Sequence, residues 1–241
     1  LGLAMKGAAL ATGFSPVVGI LICCIHFFSR KSTIKLIPVL PSIKKLIYSC
    51  QVGVSAFVGE ISSGVITVTF NMIILNLAGN TGVAAYGVVA NTSLVAVALF
   101  NGIAQGSQPL ISRSYGRGEE QNVRSLLKMA LTTALGLGVL LMIFIFFSAP
   151  AVTAVFNSEH DLQLAAYADS GLRLYFIGFL FAGINIVGTA ALSAVESVKY
   201  AFCASISRGF VATIFFAFVL SACFKMTGIW LAFPAAEFAT M

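Results

Sequence analysis

Charge is what this chain has least of. Charged residues make up 9% of it against 59% hydrophobic ones, and the mean hydropathy is +1.00, far outside the usage of water-soluble domains. Histidine is nearly absent too. His26 and His160 lie far apart and fall at opposite predicted membrane faces, which excludes a shared metal site and leaves them as interfacial residues. The five cysteines, Cys23, Cys24, Cys50, Cys203 and Cys223, are odd in number and lack C-x-x-C or other metal spacing, so they read as small apolar packing residues. There is no Gly-rich phosphate loop, no nucleophile elbow and no pair of carboxylates at catalytic spacing. Enzymatic chemistry therefore has no candidate, and neither cofactor nor metal is expected.

What the chain has in abundance is long apolar runs. They recur at about Leu3–Phe28, Leu46–Ala78, Val83–Ile111, Met129–Phe156, Leu172–Ser193, Phe202–Phe224 and Gly228–Met241. A helix needs ~20 such residues to cross the hydrocarbon core, so six qualify and the seventh stops short. Transmembrane strands would alternate in polarity, whereas Val139 to Phe147 is apolar on every face. The predicted fold is an all-α polytopic membrane protein. The first run has no basic stretch before it and six hydrophobic runs after it, so it does not read as a cleaved signal peptide. Residue 1 is not Met and the last run is short, from which we expect a piece of a larger protein.

Most of the fourteen basic residues fall in alternate connections: Arg30, Lys31, Lys35, Lys44 and Lys45, then Arg113, Arg117, Arg124 and Lys128, then Lys199 and Arg208. Lys6 and Lys225 fall on the other side, and Arg173 falls inside a helix. Basic loops are cytoplasmic, which orients the bundle in the cytoplasmic (inner) membrane. Topology accounts for the net charge of +6, so no nucleic-acid partner is expected. Residues 29–45, with Pro38 and Pro41, read as a basic cytoplasmic linker. It joins a helix at 1–28 to a six-helix unit at 46–241 whose last helix is incomplete.

Glu60 is a lone carboxylate in the otherwise uncharged run Leu46–Ala78. A charge there costs roughly 2.5–3.5 kcal/mol on insertion scales, so it needs a partner, a water-filled cavity or a function. Gly53, Ala56, Glu60, Gly64, Thr67 and Asn71 follow steps of three and four and form one stripe of small and polar side chains. Asn101, Gln105, Gln108 and Ser112 form a similar stripe on the next helix, where Pro109 removes a backbone donor. Gly171, Tyr175, Gly178, Ala182, Asn185 and Thr189 form a third. Glu60 reads as an ion-coupling or cation-binding group, or as a structural acid joining two helices. Thr67, Asn71, Asn101, Gln105, Gln108, Tyr175 and Asn185 are candidate cavity-lining residues, although amides also join helices. Phe57 and Phe70, near the first stripe, could hold a flat cation or belong to the core or the lipid face. Asp169 and Arg173, at i and i+4 with the acid first, are expected to pair. Glu196 is expected to be solvated, and no role is assigned to Glu237.

The segments Gly82-Val-Ala-Ala-Tyr-Gly-Val-Val-Ala-Asn91, Phe100-Asn-Gly-Ile-Ala-Gln-Gly-Ser-Gln-Pro-Leu110, Tyr115-Gly-Arg-Gly118 and Gly228-Ile-Trp-Leu-Ala-Phe-Pro234 resemble the multidrug and toxic compound extrusion (MATE) family, bacterial branch. The resemblance implies a twelve-helix antiporter of two six-helix lobes, of which this chain is similar to helix six through helix twelve. It implies export of lipophilic, cationic drugs or metabolites in exchange for protons or sodium ions, by rocking of two lobes. Its partners would be a small-molecule lipophilic cation, membrane lipid and the missing N-terminal lobe. Glu60 occupies a place comparable to the family's acidic residue on helix seven. The tenth-helix Asp of sodium-site members has no counterpart within the fifth segment, where only Asp169 lies near the outer end. A lipid-linked precursor or polysaccharide flippase of the same superfamily would need a cationic cavity, and no Arg or Lys lies on the Glu60 stripe. A non-transporting membrane scaffold remains open on sequence grounds.

Overall fold

The computed structural model describes residues 42–157 and 160–241, together with 7, 13, 14, 16–22, 24 and 25. The chain divides into two compact units, Leu1–Leu46 and Ile47–Met241. In the first, nearly all the described residues are helical and exposed, including Val17, Ile20, Leu21 and Ile25. Most of the basic linker and of the first expected helix lies outside the described residues.

From residue 43 onward the chain is helical almost without interruption, which is what a long apolar sequence must do where no water can satisfy its backbone. α1 spans Ile43–Gly116, α2 Glu120–Phe156, α3 Leu162–Tyr175, α4 Phe179–Ala194, α5 Val198–Ile206 and α6 Thr213–Ala239. A 3₁₀ turn at Phe176–Gly178 joins α3 to α4, and a π turn at Ser207–Ala212 joins α5 to α6. Four stretches are long and apolar enough to cross a membrane: Phe57–Gly116, Glu120–Phe156, Leu162–Ala194 and Lys199–Ala239. The expected all-α, multi-pass architecture is therefore present.

Two of these helices double back. Gly79 breaks α1 with φ 64° and ψ −157°, a left-handed conformation that glycine adopts without a Cβ penalty. Sixteen residues apart, Phe70 and Tyr86 have ring centroids 5.5 Å apart, whereas a straight helix would separate them by about 24 Å. Lys225 breaks α6 in the same way, with φ 52° and ψ −128°. A side chain on Gly228 would run into the carbonyl of Leu220, which an unbroken helix would hold about 12 Å away. The expected connections at Gly79–Gly82 and Lys225–Gly228 thus shrink to single residues. The expected Ser112–Val123 connection shrinks as well, because α1 runs on to Gly116 and Glu120 starts α2.

One apolar core joins the helices of the larger unit. Phe70, Ile74, Val89, Phe100, Phe176, Phe179 and Trp230 are almost wholly buried in it. Tyr175 stacks on Phe233 at 4.2 Å and Phe100 on Phe179 at 6.0 Å. The opposite side of α2 presents Leu140, Phe144, Phe147 and Val155 to the surroundings, a large apolar exposure suited to lipid.

At one end, Asp161 caps α3 by accepting from the amides of Gln163 and Leu164 at 2.8 and 3.2 Å. The expected Asp169–Arg173 pair does not form. Asp169 Oδ1 instead accepts the Thr153 hydroxyl of α2 at 2.6 Å, and the Arg173 guanidinium lies 5.3 Å over the Phe146 ring. Tertiary partners on α2 replace the local one, since an exposed i,i+4 pair contributes only about 0.2–0.5 kcal/mol. Cys24, Cys50, Cys203 and Cys223 are free thiols, while Cys23 lies outside the described residues.

Candidate functional site

The first arm of α1, residues 43–78, buries Ser62, Phe70 and Ile74 and leaves Gly53, Glu60, Gly64 and Thr67 exposed. Val54, Phe57, Ile61, Val68, Met72 and Leu75 are exposed on the same arm, so the small and polar stripe is part of a broader surface that this chain leaves uncovered. Glu60 has no hydrogen bond or salt bridge among the described residues. Thr67 satisfies its hydroxyl on the carbonyl of Ser63 at 2.9 Å, and Asn71 is half-buried. Phe57, also exposed, flanks this stripe, whereas Phe70 belongs to the core.

The second arm, residues 80–116, repeats the pattern. It buries Ala85, Val89, Ala96, Phe100, Ala104 and Ile111, and it exposes Asn91, Asn101 and Gln105, with Gln108 half-buried. Gly87, Gly102 and Gly106 have nothing within 4 Å of where a Cβ would stand. An exposed carboxylate and a row of exposed amides are poor neighbours for lipid. Both arms leave these polar side chains without cover from the described residues.

The third stripe turns inward instead. Tyr175 is buried against Phe233, and Asn185 reaches a cluster that the sequence reading did not assemble. Asn185 Nδ2 donates to Glu237 Oε2 at 2.8 Å, to the Glu237 main-chain carbonyl at 2.9 Å and to the Thr240 hydroxyl at 3.3 Å. Arg208 Nε donates to both oxygens of the same carboxylate, at 2.6 and 2.8 Å. The Glu237 side chain is 3% exposed and that of Arg208 27%. Arg208 is accordingly not a loop charge, as its sequence position suggested. It stands in the π turn, ten residues into a continuous helical path from Val198.

The π turn sets this geometry. Gly209 lies against Ser62 so closely that a Cβ there would overlap the serine side chain. The added residue of a π turn presses residue 209 onto α1 while the neighbouring residue 208 reaches α6. Thr213 holds the turn by donating its hydroxyl to the Arg208 carbonyl at 2.7 Å. A signal for the pair existed in the sequence: Arg208 and Glu237 are opposite charges standing alone in two consecutive apolar segments, the same reasoning that singled out Glu60.

Residues 56–232, well over half of the chain, match the model of the MatE family. The chain belongs to this family. MatE members are transporters rather than enzymes, in keeping with the absence of a catalytic motif in the sequence. Solved structures repeat the fold. A crystal structure of a MATE protein in complex with MaL6 superposes with a TM-score of 0.89 at 19% identity, covering 99% of this chain and 54% of that one. An outward-facing multidrug resistance MATE family transporter of the MOP superfamily gives 0.88 at 20% identity, with 98% and 53% covered. A MOP superfamily transporter from Pyrococcus furiosus Vc1 (DSM3638), with a binding pocket of reverse polarity, gives 0.89 at 19%, with 99% and 54% covered. No curated protein sequence matches the chain. At these identities the likeness is one of fold, and the MatE chain spans about half the length of the structures it matches.

Proposed function

We propose that this chain is the C-terminal part of a cation-coupled antiporter that exports lipophilic, cationic drugs or metabolites across the cytoplasmic membrane. Its helices would comprise the last helix of one lobe, a basic cytoplasmic linker and a six-helix lobe, with the first lobe supplied by the rest of the same protein. The observation that carries the reading is Glu60 itself, an exposed carboxylate with no hydrogen-bond or salt-bridge partner among the described residues, in a stretch apolar enough to cross a membrane. The exposed amides Asn101 and Gln105 on the next arm add to it.

In such a cavity the ionised form of Glu60 is stabilised by whichever cation arrives. A proton, a sodium ion or a lipophilic cation each neutralises it, and only one can do so at a time. Mutually exclusive occupancy links the uphill exit of one cation to the downhill entry of another. Phe57, exposed beside the carboxylate, offers a ring face to a flat cation. Thr67, Asn71, Asn101, Gln105 and Gln108 would hydrogen-bond water or substrate in transit, while rocking of the lobes would open the cavity alternately to either side.

The test is exchange of a cationic dye in proteoliposomes holding the full-length protein, under separate proton and sodium gradients, with Glu60→Gln beside the unaltered protein. Gradient-driven exchange that is lost on substitution supports the reading, and the gradient that drives it names the coupling ion. Equal exchange by both proteins overturns the role of Glu60. Movement of a lipid-linked anion in place of the dye would favour a flippase.

A further inference from the structure

Among the described residues, the Arg208–Glu237 pair is the one ion pair with a buried partner, and the mechanism above does not use it. The other two, Arg117–Glu119 and Arg124–Glu120, are exposed and 3.9–4.0 Å apart. A charged pair within a membrane-spanning stretch marks function by default.

Its construction is not that of a rigid strut. An arginine that locks a carboxylate presents two parallel N–H groups to the two oxygens. Here one N–H, that of Nε, is shared between both oxygens. The partners are unequally enclosed, with the acid sealed in and the guanidinium about a quarter exposed, so the arginine can withdraw where the acid cannot. Arg208 also sits in a π turn, an irregular segment frequent at functional sites. Asn185 keeps a separate hold on Glu237 through one side-chain oxygen and the main-chain carbonyl, so the carboxyl group stays hydrogen-bonded when Arg208 departs. Turned over, the same amide presents an oxygen that can accept a hydrogen bond from a neutral acid.

We propose that Glu237 is a second cation site, distinct from Glu60, in which Arg208 is the tethered resident cation and a proton or a monovalent metal ion exchanges with it. The incoming cation neutralises the carboxylate. Arg208 retains its proton and charge, swings toward its exposed side, and the protein gains one positive charge.

Little else can titrate against this exchange. Of the elements packed on α6, α4 carries no ionisable side chain, nor does the 3₁₀ turn, and the π turn carries only Arg208. On α3, which also carries Tyr167, Tyr175 stacks on Phe233 of α6, while Asp169 and Arg173 are engaged with Thr153 and Phe146. Tyr86 of α1 stacks near Trp230. Lys225 on α6 itself is twelve residues from Glu237, about 18 Å along the helix.

Infrared difference spectroscopy on the full-length protein in lipid nanodiscs tests the proposal without requiring transport, so its failure is separable from failure of the Glu60 reading. Acidification should raise a carboxylic-acid band that persists in Glu60→Gln and is missing from the double variant Arg208→Gln/Glu237→Gln. Sodium added at constant pH should instead shift a carboxylate band that the same double variant lacks, which separates the two cations. Arg208→Lys keeps the charge but not the planar donor, and it should move the midpoint of the Glu237 component. Spectra of the double variant identical to those of the unaltered protein under both challenges would overturn the proposal. So would an unmoved midpoint in Arg208→Lys.

Discussion

Thr153 and Asp169 share a 2.6 Å hydrogen bond that ties α2 to α3 across their connection. The threonine is 2% exposed and the acid half-buried, so the hydroxyl is the donor that makes burial of the carboxylate tolerable. Thr153→Val, which keeps the shape and removes the donor, should destabilise the protein by about 1–3 kcal/mol. A lowered melting temperature in detergent would show it. Arg173→Leu should cost less than about 1 kcal/mol, the scale of an exposed cation–π contact. Equal losses from the two variants would mean that the carboxylate depends on Arg173 after all.

The packing of Gly209 on Ser62 makes a compensation testable. Gly209→Ala places a methyl group where the serine side chain stands, and overpacking of this kind costs about 1–3 kcal/mol. Adding Ser62→Gly should recover most of the loss, whereas Ser62→Ala, which keeps the clashing Cβ, should recover little. Thermal unfolding of the two double variants distinguishes them.

At the buried pair, removing one partner and removing both should have different consequences. Arg208→Gln alone leaves the sealed carboxylate, 3% exposed, without its counter-charge and should cost about 3–5 kcal/mol. Arg208→Gln/Glu237→Gln removes both charges and should fall well short of that. A double variant as unstable as the single one would show that the loss lies in packing rather than in an uncompensated charge.

On the exposed face, substitutions should affect transport and spare folding. Glu60→Gln removes an exposed charge that has no hydrogen-bond or salt-bridge partner among the described residues, so its melting temperature should stay near that of the unaltered protein. Cation-driven dye exchange by the full-length protein should fall by about ten- to hundredfold, the equivalent of a charged hydrogen bond of about 1.5–3 kcal/mol. Asn101→Leu and Gln105→Leu should also leave the melting temperature in place while slowing exchange. Unfolding of any of the three would place its side chain in a structural contact.

Particular residues show how far the sequence could be read. The apolar runs required helices, and the residues spaced by three and four around Glu60 and around Gln105 are exposed or half-buried, together with apolar neighbours such as Val68, Met72, Leu94 and Leu99. Spacing could not tell an outward polar face from an inward one. The Glu60 stripe is uncovered by this chain, whereas the Tyr175 and Asn185 stripe is packed against α6. Nor could it choose between local and distant partners: the i,i+4 rule joined Asp169 to Arg173, and the fold joined Asp169 to Thr153. Counting basic residues by connection grouped Arg208 with Lys199, whereas the fold holds it within a helical path, in a π turn, against Glu237.

The sequence by itself determined the membrane-spanning helical architecture and the family, because both rest on local quantities: hydropathy over a helix length, and short motifs read in order. It also isolated Glu60, since one carboxylate among apolar residues is conspicuous without a fold. The tertiary structure alone decided where Arg208 goes and what Glu237 pairs with. Their pairing depends on an irregular helical turn and on the approach of segments 29 and 52 residues apart in the chain. Ion-pair energy depends on distance and burial, and neither is encoded in the spacing of residues along the chain.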